Sequence, residues 1–160
     1  MPLEIERKFL LDRFTPPPAA VAEPIEQGYI AITPDGTEVR LRSIAGKYVL
    51  GVKRGTGSLS RIEVECPLTE SEFDELWPAT AGARLVKTRY TVPLEGTTVY
   101  VDVYAEGLAG LHTAEVEFAS EAAAEDFTPP PWFGSEVTRA KPYKNRILAT
   151  EGLPRFPAGH

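Results

Sequence analysis

The segment LEIERKFL, residues 3–10, places Glu4, Glu6 and Lys8 at every second position, with the apolar Leu3, Ile5 and Phe9 between and beside them. Because successive side chains of a β-strand point to opposite faces, Glu4, Glu6 and Lys8 would share one face of a strand and the apolar residues the other. Exposure of the charged face to water is the simplest explanation for one such strand of an antiparallel sheet. The rest of the chain therefore decides whether these charges point outward or inward.

Seven further segments show the same alternation, together with the β-branched and aromatic composition of strands. The predicted strands cover residues 3–10, 25–33, 38–44, 47–53, 60–66, 85–94, 97–105 and 112–119. Within each strand the charged residues fall on one face; they are Arg40 and Arg42, Lys53, Arg61, Glu63 and Glu65, Lys87 and Arg89, Asp102, and Glu115 and Glu117. Acidic and basic residues are largely grouped by strand, which is not expected of a face that is only solvated.

An antiparallel sheet of about eight strands can close into a barrel that has no free edges and encloses roughly one small ligand. Three helices are predicted besides the strands. One follows Thr69, where Glu72 completes a capping box, one lies in residues 120–127, and one lies within residues 138–150. We therefore expect an α+β, predominantly antiparallel β fold: an eight-stranded closed barrel with a charged lumen and a few peripheral helices.

The composition is typical of a soluble globular protein, with 42% hydrophobic and 25% charged residues among 160. This length predicts a single domain over residues 1–160. The net charge of −6 argues against a nucleic-acid-binding protein that works by general basicity. Cys66, the one cysteine, is expected to pack in the core, and the reducing cytoplasm is the expected location. The sequence shows neither a signal peptide nor a membrane-spanning apolar run, so no membrane partner is expected.

The grouped charges point to metal and phosphate chemistry if they face a common lumen. Carboxylates on the first and last strands, at Glu4, Glu6, Glu115 and Glu117, would repel one another unless a cation lay between them. Such an all-oxygen set of ligands suits Mg²⁺ or Mn²⁺. The basic side chains would need an anion, and Arg and Lys bind phosphate oxygens well. This combination is typical of phosphoryl and nucleotidyl transfer.

With these residues in place, the chain resembles the CYTH superfamily, also called the triphosphate tunnel metalloenzymes. The matching motifs are E-x-E-x-K at Glu4, Glu6 and Lys8, QGY at 27–29, RLR at 40–42, Lys53, RIEVE at 61–65, KTRY at 87–90, VDVY at 101–104, AEVE at 114–117, WFGSEVT at 132–138 and YKN at 143–145. The resemblance implies an eight-stranded tunnel that holds a linear triphosphate, or a triphosphate-bearing substrate, together with divalent metal.

The chain departs from the family pattern in RAKPY, where Ala140 and Pro142 replace an acidic residue and Arg. The contribution of this segment to closing the tunnel therefore stays open. Because proline cannot continue a helix from the preceding turn, the last helix is expected to start late.

The resemblance also implies roles for the charged residues. One metal ion would bind Glu4, Glu6, Glu115 and Glu117, and a second, again Mg²⁺ or Mn²⁺, would bind Glu63, Glu65 or Asp102. The substrate phosphates would contact Lys8, Arg40, Arg42, Lys53, Arg61, Lys87 and Arg89. The candidate catalytic residues are Lys53, Tyr29 and Glu63. For Arg61 an ion pair with a neighbouring carboxylate is an equal alternative, as is a simple wall position for Tyr29.

Among the activities of the family, the short chain without an insertion for an organic group favours hydrolysis of inorganic tripolyphosphate. The alternatives are a class IV-type adenylate cyclase and a thiamine or nucleoside triphosphatase. A binding module for polyphosphate or nucleotide is a non-enzymatic alternative, although it would gain nothing from desolvated carboxylates. A carrier of apolar ligands would require the two faces of every strand to be exchanged. The expected partner is a small polyanionic substrate, and the protein is expected to be a monomer or a homodimer.

Overall fold

The computed structural model of the protein describes residues 3–55 and 60–154, and the side chains of Leu3, Glu4 and Ser60 lie outside this description. Its eight strands are β1 (Leu3–Leu10), β2 (Val21–Ile32), β3 (Glu38–Ile44), β4 (Lys47–Gly55), β5 (Ser60–Leu68), β6 (Arg84–Leu94), β7 (Thr97–Tyr104) and β8 (His112–Glu117). Every pairing between neighbouring strands is antiparallel. The predicted α+β fold, with one curled sheet of eight antiparallel strands, is confirmed.

The strands are ordered β1-β5-β4-β3-β2-β6-β7-β8, and β8 pairs with β1, so the order closes on itself. The two pairings of β1 use different halves of the strand. Its first residues pair with β5 from Leu3↔Ile62 to Ile5↔Ser60. From Glu6 onward it pairs with β8.

Residues 134–146, here called the closing segment, complete the edge of β1 where β5 no longer accompanies it. The amide of Val137 donates to the carbonyl of Lys8 at 2.8 Å, and the amide of Leu10 donates to the carbonyl of Ser135 at 2.9 Å. Phe9 and Glu136 form the corresponding β-bridge. A segment from the far end of the sequence thus satisfies backbone groups of the first strand that would otherwise be unpaired.

Three short helices lie around the sheet: α1 (Glu70–Leu76), α2 (Glu121–Asp126) and α3 (Asn145–Glu151). The capping box between Thr69 and Glu72 is present as predicted. A 3-10 turn at Lys141–Tyr143, which contains Pro142, precedes α3. The late start expected for the last helix is therefore confirmed.

The apolar core has two parts. One cluster lies outside the curl of the sheet and joins the outer faces of β6, β7 and β8 to aromatic residues of the loops; it contains Val92, Val99, Val101, Ala114 and Val116, flanked by Phe118, Phe127 and Phe133. The second cluster attaches the closing segment and α3 to the sheet and contains Leu85, Tyr104, Leu108, Leu111, Val137, Tyr143 and Leu148. Leu85 and Tyr104 lie on the inner faces of their strands, so this second cluster reaches the inner face at one end of the strands, and mostly polar residues line the rest.

The outer face of β4 and β5 is less well covered than expected. Val52 and Val64, which pair across these strands, are 40% and 52% exposed. Cys66 lies on the same face and is also exposed. The prediction that Cys66 packs in the core is therefore wrong, because the elements that bury β6 to β8 do not extend over this face within the described part of the chain.

None of the helices in the described part of the chain combines the length and the apolar character needed to cross a bilayer.

Candidate active site

A cavity of about 290 Å³ lies on the inner face of the sheet. Ten of the fourteen described residues that line it are charged, and every strand contributes at least one of the fourteen. The acidic residues are Glu6, Glu23, Glu63, Glu65, Glu115 and Glu117, the basic residues are Arg40, Arg42, Lys53 and Arg89, and Ile44, Thr91, Tyr100 and Asn145 complete the lining. The charged faces of the strands therefore meet around one space, as the alternation in the sequence predicts.

On one side of the cavity, β3, β4 and β5 bring two cations to one carboxylate. Arg40 Nη2 donates to Glu63 Oε2 at 2.7 Å, and Lys53 Nζ lies 3.7 Å from the same oxygen. The Arg40 and Glu63 side chains are only 5% and 11% exposed. One buried carboxylate thus orients two of the predicted phosphate ligands, and the trio retains a net positive charge.

Arg42, the neighbour of Arg40 on the same face of β3, is held by β2. Its Nε donates to Gln27 Oε1 at 3.0 Å, and Gln27 Nε2 in turn donates to the Tyr29 hydroxyl oxygen at 2.7 Å. Burial, together with repulsion from Arg40 and Arg89, lowers the pKa of Arg42 to about 10. An anion in the cavity would favour the charged form of Arg42 and raise this pKa again.

Tyr29, a predicted catalytic residue, is 3% exposed and is not one of the described residues that line the cavity. Burial raises the pKa of its phenol, and nearby Glu38 raises it further. Because Gln27 donates to the phenol oxygen, the phenol keeps its own proton available as a donor. Tyr29 therefore lies beneath the wall of the cavity with one fixed hydrogen bond.

On the opposite side, β6 and β7 form a buried ion cluster. Lys87 Nζ donates to Asp102 Oδ2 at 2.8 Å, while Arg89 donates through Nε to Oδ1 at 2.9 Å and through Nη2 to Oδ2 at 3.0 Å. Although burial opposes ionisation of Asp102, the two cations hold its pKa well below the usual range. Burial lowers the pKa of Lys87 to about 7 against the effect of Asp102. Arg89 reaches the cavity, whereas the Lys87 side chain is fully buried.

The carboxylates of β1 and β8 are adjacent, since Glu6 pairs with Glu117 and Lys8 with Glu115. Burial alone would raise the pKa of Glu115, but Lys8 and Arg89, with a hydrogen bond that Glu115 accepts from Glu6, hold that pKa at about 2. Glu115 is thus ionised at neutral pH and offers charged oxygen to the cavity.

The cavity carboxylates provide the oxygen donors that Mg²⁺ and Mn²⁺ prefer, so the residue types fit these ions. As the side chains stand, no three His, Cys, Asp or Glu residues with described positions are close enough together to hold a metal. Glu4, the first member of the predicted set, has its side chain outside the described residues.

Three predicted substrate ligands lie outside the described cavity lining: Lys8, Arg61 and Lys87. Lys8 Nζ donates to the carbonyl of Tyr143 in the closing segment at 2.6 Å. The backbone of Arg61 pairs with that of Glu4 across β5 and β1. None of these three side chains is therefore part of the described surface of the cavity.

The closing segment spans one end of the cavity despite its Ala140 and Pro142. Its Tyr143 carbonyl is held by Lys8 from β1, its Asn145 accepts a hydrogen bond from the Tyr104 hydroxyl of β7, and Arg146 donates to Glu38 of β3 at 3.3 Å. Asn145 is part of the cavity lining. The sequence left open whether this segment closes the tunnel. In the structure, the contacts that close it come from residues 143–146, which follow Ala140 and Pro142.

Several residues at the site were not predicted from the sequence. Glu23 lies on the same face of β2 as Gln27 and Tyr29, and Tyr100 lies on the same face of β7 as Asp102. The alternation of side chains along a strand could therefore have identified both as inward-facing residues. Asn145 is the first residue of α3 and follows an irregular segment that carries no periodic signal. Its position depends on a hydrogen bond from Tyr104 of β7, which is 41 residues away in sequence.

Comparison with known proteins places these features in a family. No protein-family model matches the chain. The inorganic triphosphatase of Nitrosomonas europaea is 48% identical over 147 residues, which cover 91% of this chain and 96% of the relative. A crystal structure of an inorganic triphosphatase is 43% identical, with a TM-score of 0.73 over 96% of this chain and 99% of that chain.

A more distant structure, from Hippeastrum, is described as an adenylyl cyclase with a dominant triphosphatase activity. It is 16% identical, covers 76% of this chain and 82% of its own, and has a TM-score of 0.55. At this identity it shares the fold alone. With nearly half of its residues identical to the Nitrosomonas protein over almost the full length of both, the chain belongs to the CYTH family of triphosphate tunnel metalloenzymes, together with that inorganic triphosphatase.

Proposed function

We propose that the protein is a metal-dependent hydrolase that cleaves inorganic tripolyphosphate into diphosphate and phosphate. The observation that carries the proposal is the cavity in which four cations and six carboxylates from all parts of the sheet face one another. The name of the 48% identical relative, an inorganic triphosphatase, supports the same substrate.

The four cations of the cavity lining fit a short chain of phosphates. Arg40, Arg42, Lys53 and Arg89 come from both sides of the cavity, so each phosphate would meet a cation. The volume of about 290 Å³ is at the lower end for small-molecule sites. A linear inorganic triphosphate therefore suits the cavity better than a substrate with a bulky organic group.

The carboxylates would hold the metal ions. Glu4, Glu6, Glu115 and Glu117 form the set for one ion, and Glu63 or Glu65 is the source of ligands for a second. Bound Mg²⁺ or Mn²⁺ would neutralise phosphate charge and make an attacking water more acidic.

Lys53 and Glu63 are the proposed catalytic pair. Water would attack a terminal phosphorus and pass a proton to Glu63 as the new P–O bond forms; the bridging P–O bond breaks, and negative charge moves to the departing diphosphate. Lys53 Nζ, which lies near Glu63 Oε2, would bind the oxygens on which this charge develops. Tyr29 would act from beneath the wall through its remaining donor, so we assign it a supporting role in placing the leaving group.

Phosphate release from tripolyphosphate, ATP and thiamine triphosphate, each with Mg²⁺, with Mn²⁺ and with EDTA, tests the proposal, and a cyclic AMP assay runs alongside. We expect metal-dependent release from tripolyphosphate above all. Glu6→Gln should abolish turnover and leave the fold intact, whereas Glu95→Gln, a change in the exposed turn between β6 and β7, should retain it. Turnover of tripolyphosphate by Glu6→Gln at the unmodified rate would refute the assignment of the site, and cyclic AMP formed from ATP alone would make the protein a cyclase.

A further inference from the structure

Residues 100–104, with the sequence YVDVY, place three polar side chains of β7 on the inner face of the sheet. The central one, Asp102, accepts the three hydrogen bonds from Lys87 and Arg89. The flanking rings contact the same cations: Lys87 Nζ lies 5.4 Å from the ring centre of Tyr104, and the Arg89 guanidinium lies 5.3 Å from that of Tyr100. Three neighbouring side chains of β7 therefore contact the two cations of β6.

We propose that Asp102 is a positioning residue that fixes Arg89 toward the substrate, and that it is not a ligand of a catalytic metal ion. The inference rests on the proposed function, since it names the tripolyphosphate phosphates as the group that Arg89 receives. This positioning role replaces the role of a ligand to the second metal ion, which the resemblance to the family implies for Asp102.

The first argument is that the oxygens of Asp102 are already used. Oδ1 accepts from Arg89 Nε, and Oδ2 accepts from both Arg89 Nη2 and Lys87 Nζ. The Asp102 side chain is 1% exposed, so a metal ion could reach it only by separating charge-assisted hydrogen bonds in a buried site. The other predicted metal ligands with described side chains, by contrast, line the cavity.

The second argument concerns the geometry of Arg89. Its two bonds to Asp102 fix the plane of the guanidinium group and use two of the five N–H donors that the group carries. Tyr100 covers one face of that plane. The remaining donors can therefore meet a phosphate without loss of side-chain freedom at the moment of binding.

The third argument is the balance of charge. Asp102 offsets part of the positive charge of Lys87 and Arg89. Without Asp102, these two groups would be buried beside each other and near Arg42, with Glu115 as the remaining carboxylate that acts on both, and repulsion would push Arg89 away from its present position.

Calorimetric titration of tripolyphosphate into the protein in EDTA tests the inference without metal and without turnover. We expect Asp102→Asn to weaken binding by about tenfold or more, because Arg89 loses its anchor. Glu70→Gln is the control, since it also removes a hydrogen-bonded carboxylate, the acceptor of the Tyr48 hydroxyl, but lies in α1 and outside the cavity lining. It should change the affinity by less than about twofold. Equal binding by wild-type and Asp102→Asn protein would overturn the inference.

Titration of Mn²⁺, followed by the electron paramagnetic resonance of the free ion, provides the second readout. Asp102→Asn should bind Mn²⁺ as the wild type does, whereas Glu115→Gln should bind it more weakly. Loss of Mn²⁺ binding by Asp102→Asn, with its tripolyphosphate affinity in EDTA retained, would make Asp102 a metal ligand and overturn the inference.

The wild-type protein supplies a test that does not depend on the folding of a variant. The Nε–H signal of Arg89, assigned with Arg89→Lys, should stay in place when Mg²⁺ saturates the protein, because Asp102 keeps its hydrogen bond. A large shift or loss of this signal would contradict the inference. Failure of the wild type to bind tripolyphosphate, with or without metal, would instead refute the proposed function. In that case the Arg89 Nε–H signal would still show whether Asp102 keeps its hydrogen bond to Arg89 when Mg²⁺ is added.

Discussion

Arg7 and Glu136, which are 129 positions apart in the sequence, form a two-point ion pair on the outside of the sheet: Arg7 Nε donates to Oε2 at 2.9 Å, and Arg7 Nη2 donates to Oε1 at 2.7 Å. The same guanidinium donates through Nη1 to the carbonyls of Ala124 and Phe127, both at 2.9 Å. One side chain of β1 thus binds the closing segment and the end of α2 at once.

Replacement of Arg7 by Met should destabilise the fold, because two partly buried carbonyls and one carboxylate lose their donor. We expect a loss of about 2–4 kcal/mol in the free energy of unfolding, measured by urea denaturation. Arg13→Met, at an exposed position before β2, is the control and should stay within about 0.5 kcal/mol of the wild type. A similar stability for both variants would show that the contacts of Arg7 contribute nothing.

The same ion pair predicts a dependence of stability on pH. A hydrogen bond from Arg7 lowers the pKa of Glu136, so the unfolded chain binds the proton more readily than the folded protein. The stabilisation is complete above the unfolded pKa of about 4.3 and is lost as the pH falls through the lower pKa of the folded state. Thermal melts between neutral and acid pH should therefore show a smaller loss of Tm for Glu136→Gln than for the wild type. Parallel curves for the two proteins would contradict this prediction.

Gly28 of β2 is required by the close approach of Thr80, which follows α1. A Cβ atom at position 28 would lie 2.6 Å from the Cβ of Thr80. Thr80 cannot easily withdraw, since its hydroxyl donates to the carbonyl of Trp77 and accepts from Arg84. Gly28→Ala should cost about 1–3 kcal/mol in the free energy of unfolding. Gly107→Ala, where the added methyl meets no atom within 4 Å, should be close to neutral, and equal losses would refute the argument.

Lys53 provides the sharpest kinetic prediction. Because its ammonium group is proposed to bind the oxygens on which charge develops, Lys53→Met should lower kcat for tripolyphosphate by about 10²–10³-fold. Lys47→Met, at the exposed first residue of β4, removes the same charge from the same strand and should leave kcat unchanged. A loss confined to KM in Lys53→Met would mean that Lys53 binds substrate without acting in the chemical step.

Lys144 of the closing segment predicts proton uptake on binding. Burial, with repulsion from Arg61 and Arg146, lowers the pKa of Lys144 to about 8, so the group is partly neutral at pH 8. A bound polyanion would raise this pKa again, and the protein would take up a fraction of a proton. Titrations of tripolyphosphate at pH 8 in two buffers of different ionisation enthalpy measure this uptake. The uptake should fall in Lys144→Met and keep its wild-type value in Lys141→Met, with the remainder supplied by Lys87, whose pKa is about 7. An unchanged uptake in both variants would exclude Lys144 as a source.

The strands and their inward faces follow from the sequence because alternation is a local property. Arg40, Arg42, Glu63 and Glu65 line the cavity as their parity predicts. Alternation gives the face of a residue but not its depth or its partner. Lys87 shares the parity of Arg89 and yet is fully buried against Asp102, a pairing between strands that only the register reveals.

The closing segment could not be derived in the same way. Its position depends on hydrogen bonds between Lys8 and residues 137–143, which are about 130 positions away and carry no periodic pattern. The prediction that Cys66 packs in the core is wrong for a related reason. Alternation placed it on the apolar face, but whether that face is covered depends on where the loops pack, and they pack over β6 to β8.

The shared edge of β1 also sets the order in which the molecule can become functional during synthesis. The ribosome makes β1 long before the backbone partners of Lys8 and Leu10 and the cavity residue Asn145. A nascent chain that ends before residue 146 therefore has an incomplete cavity and an open strand edge, which is the kind of surface that chaperones cover. The cavity is complete only after residues 134–146 have folded back onto β1.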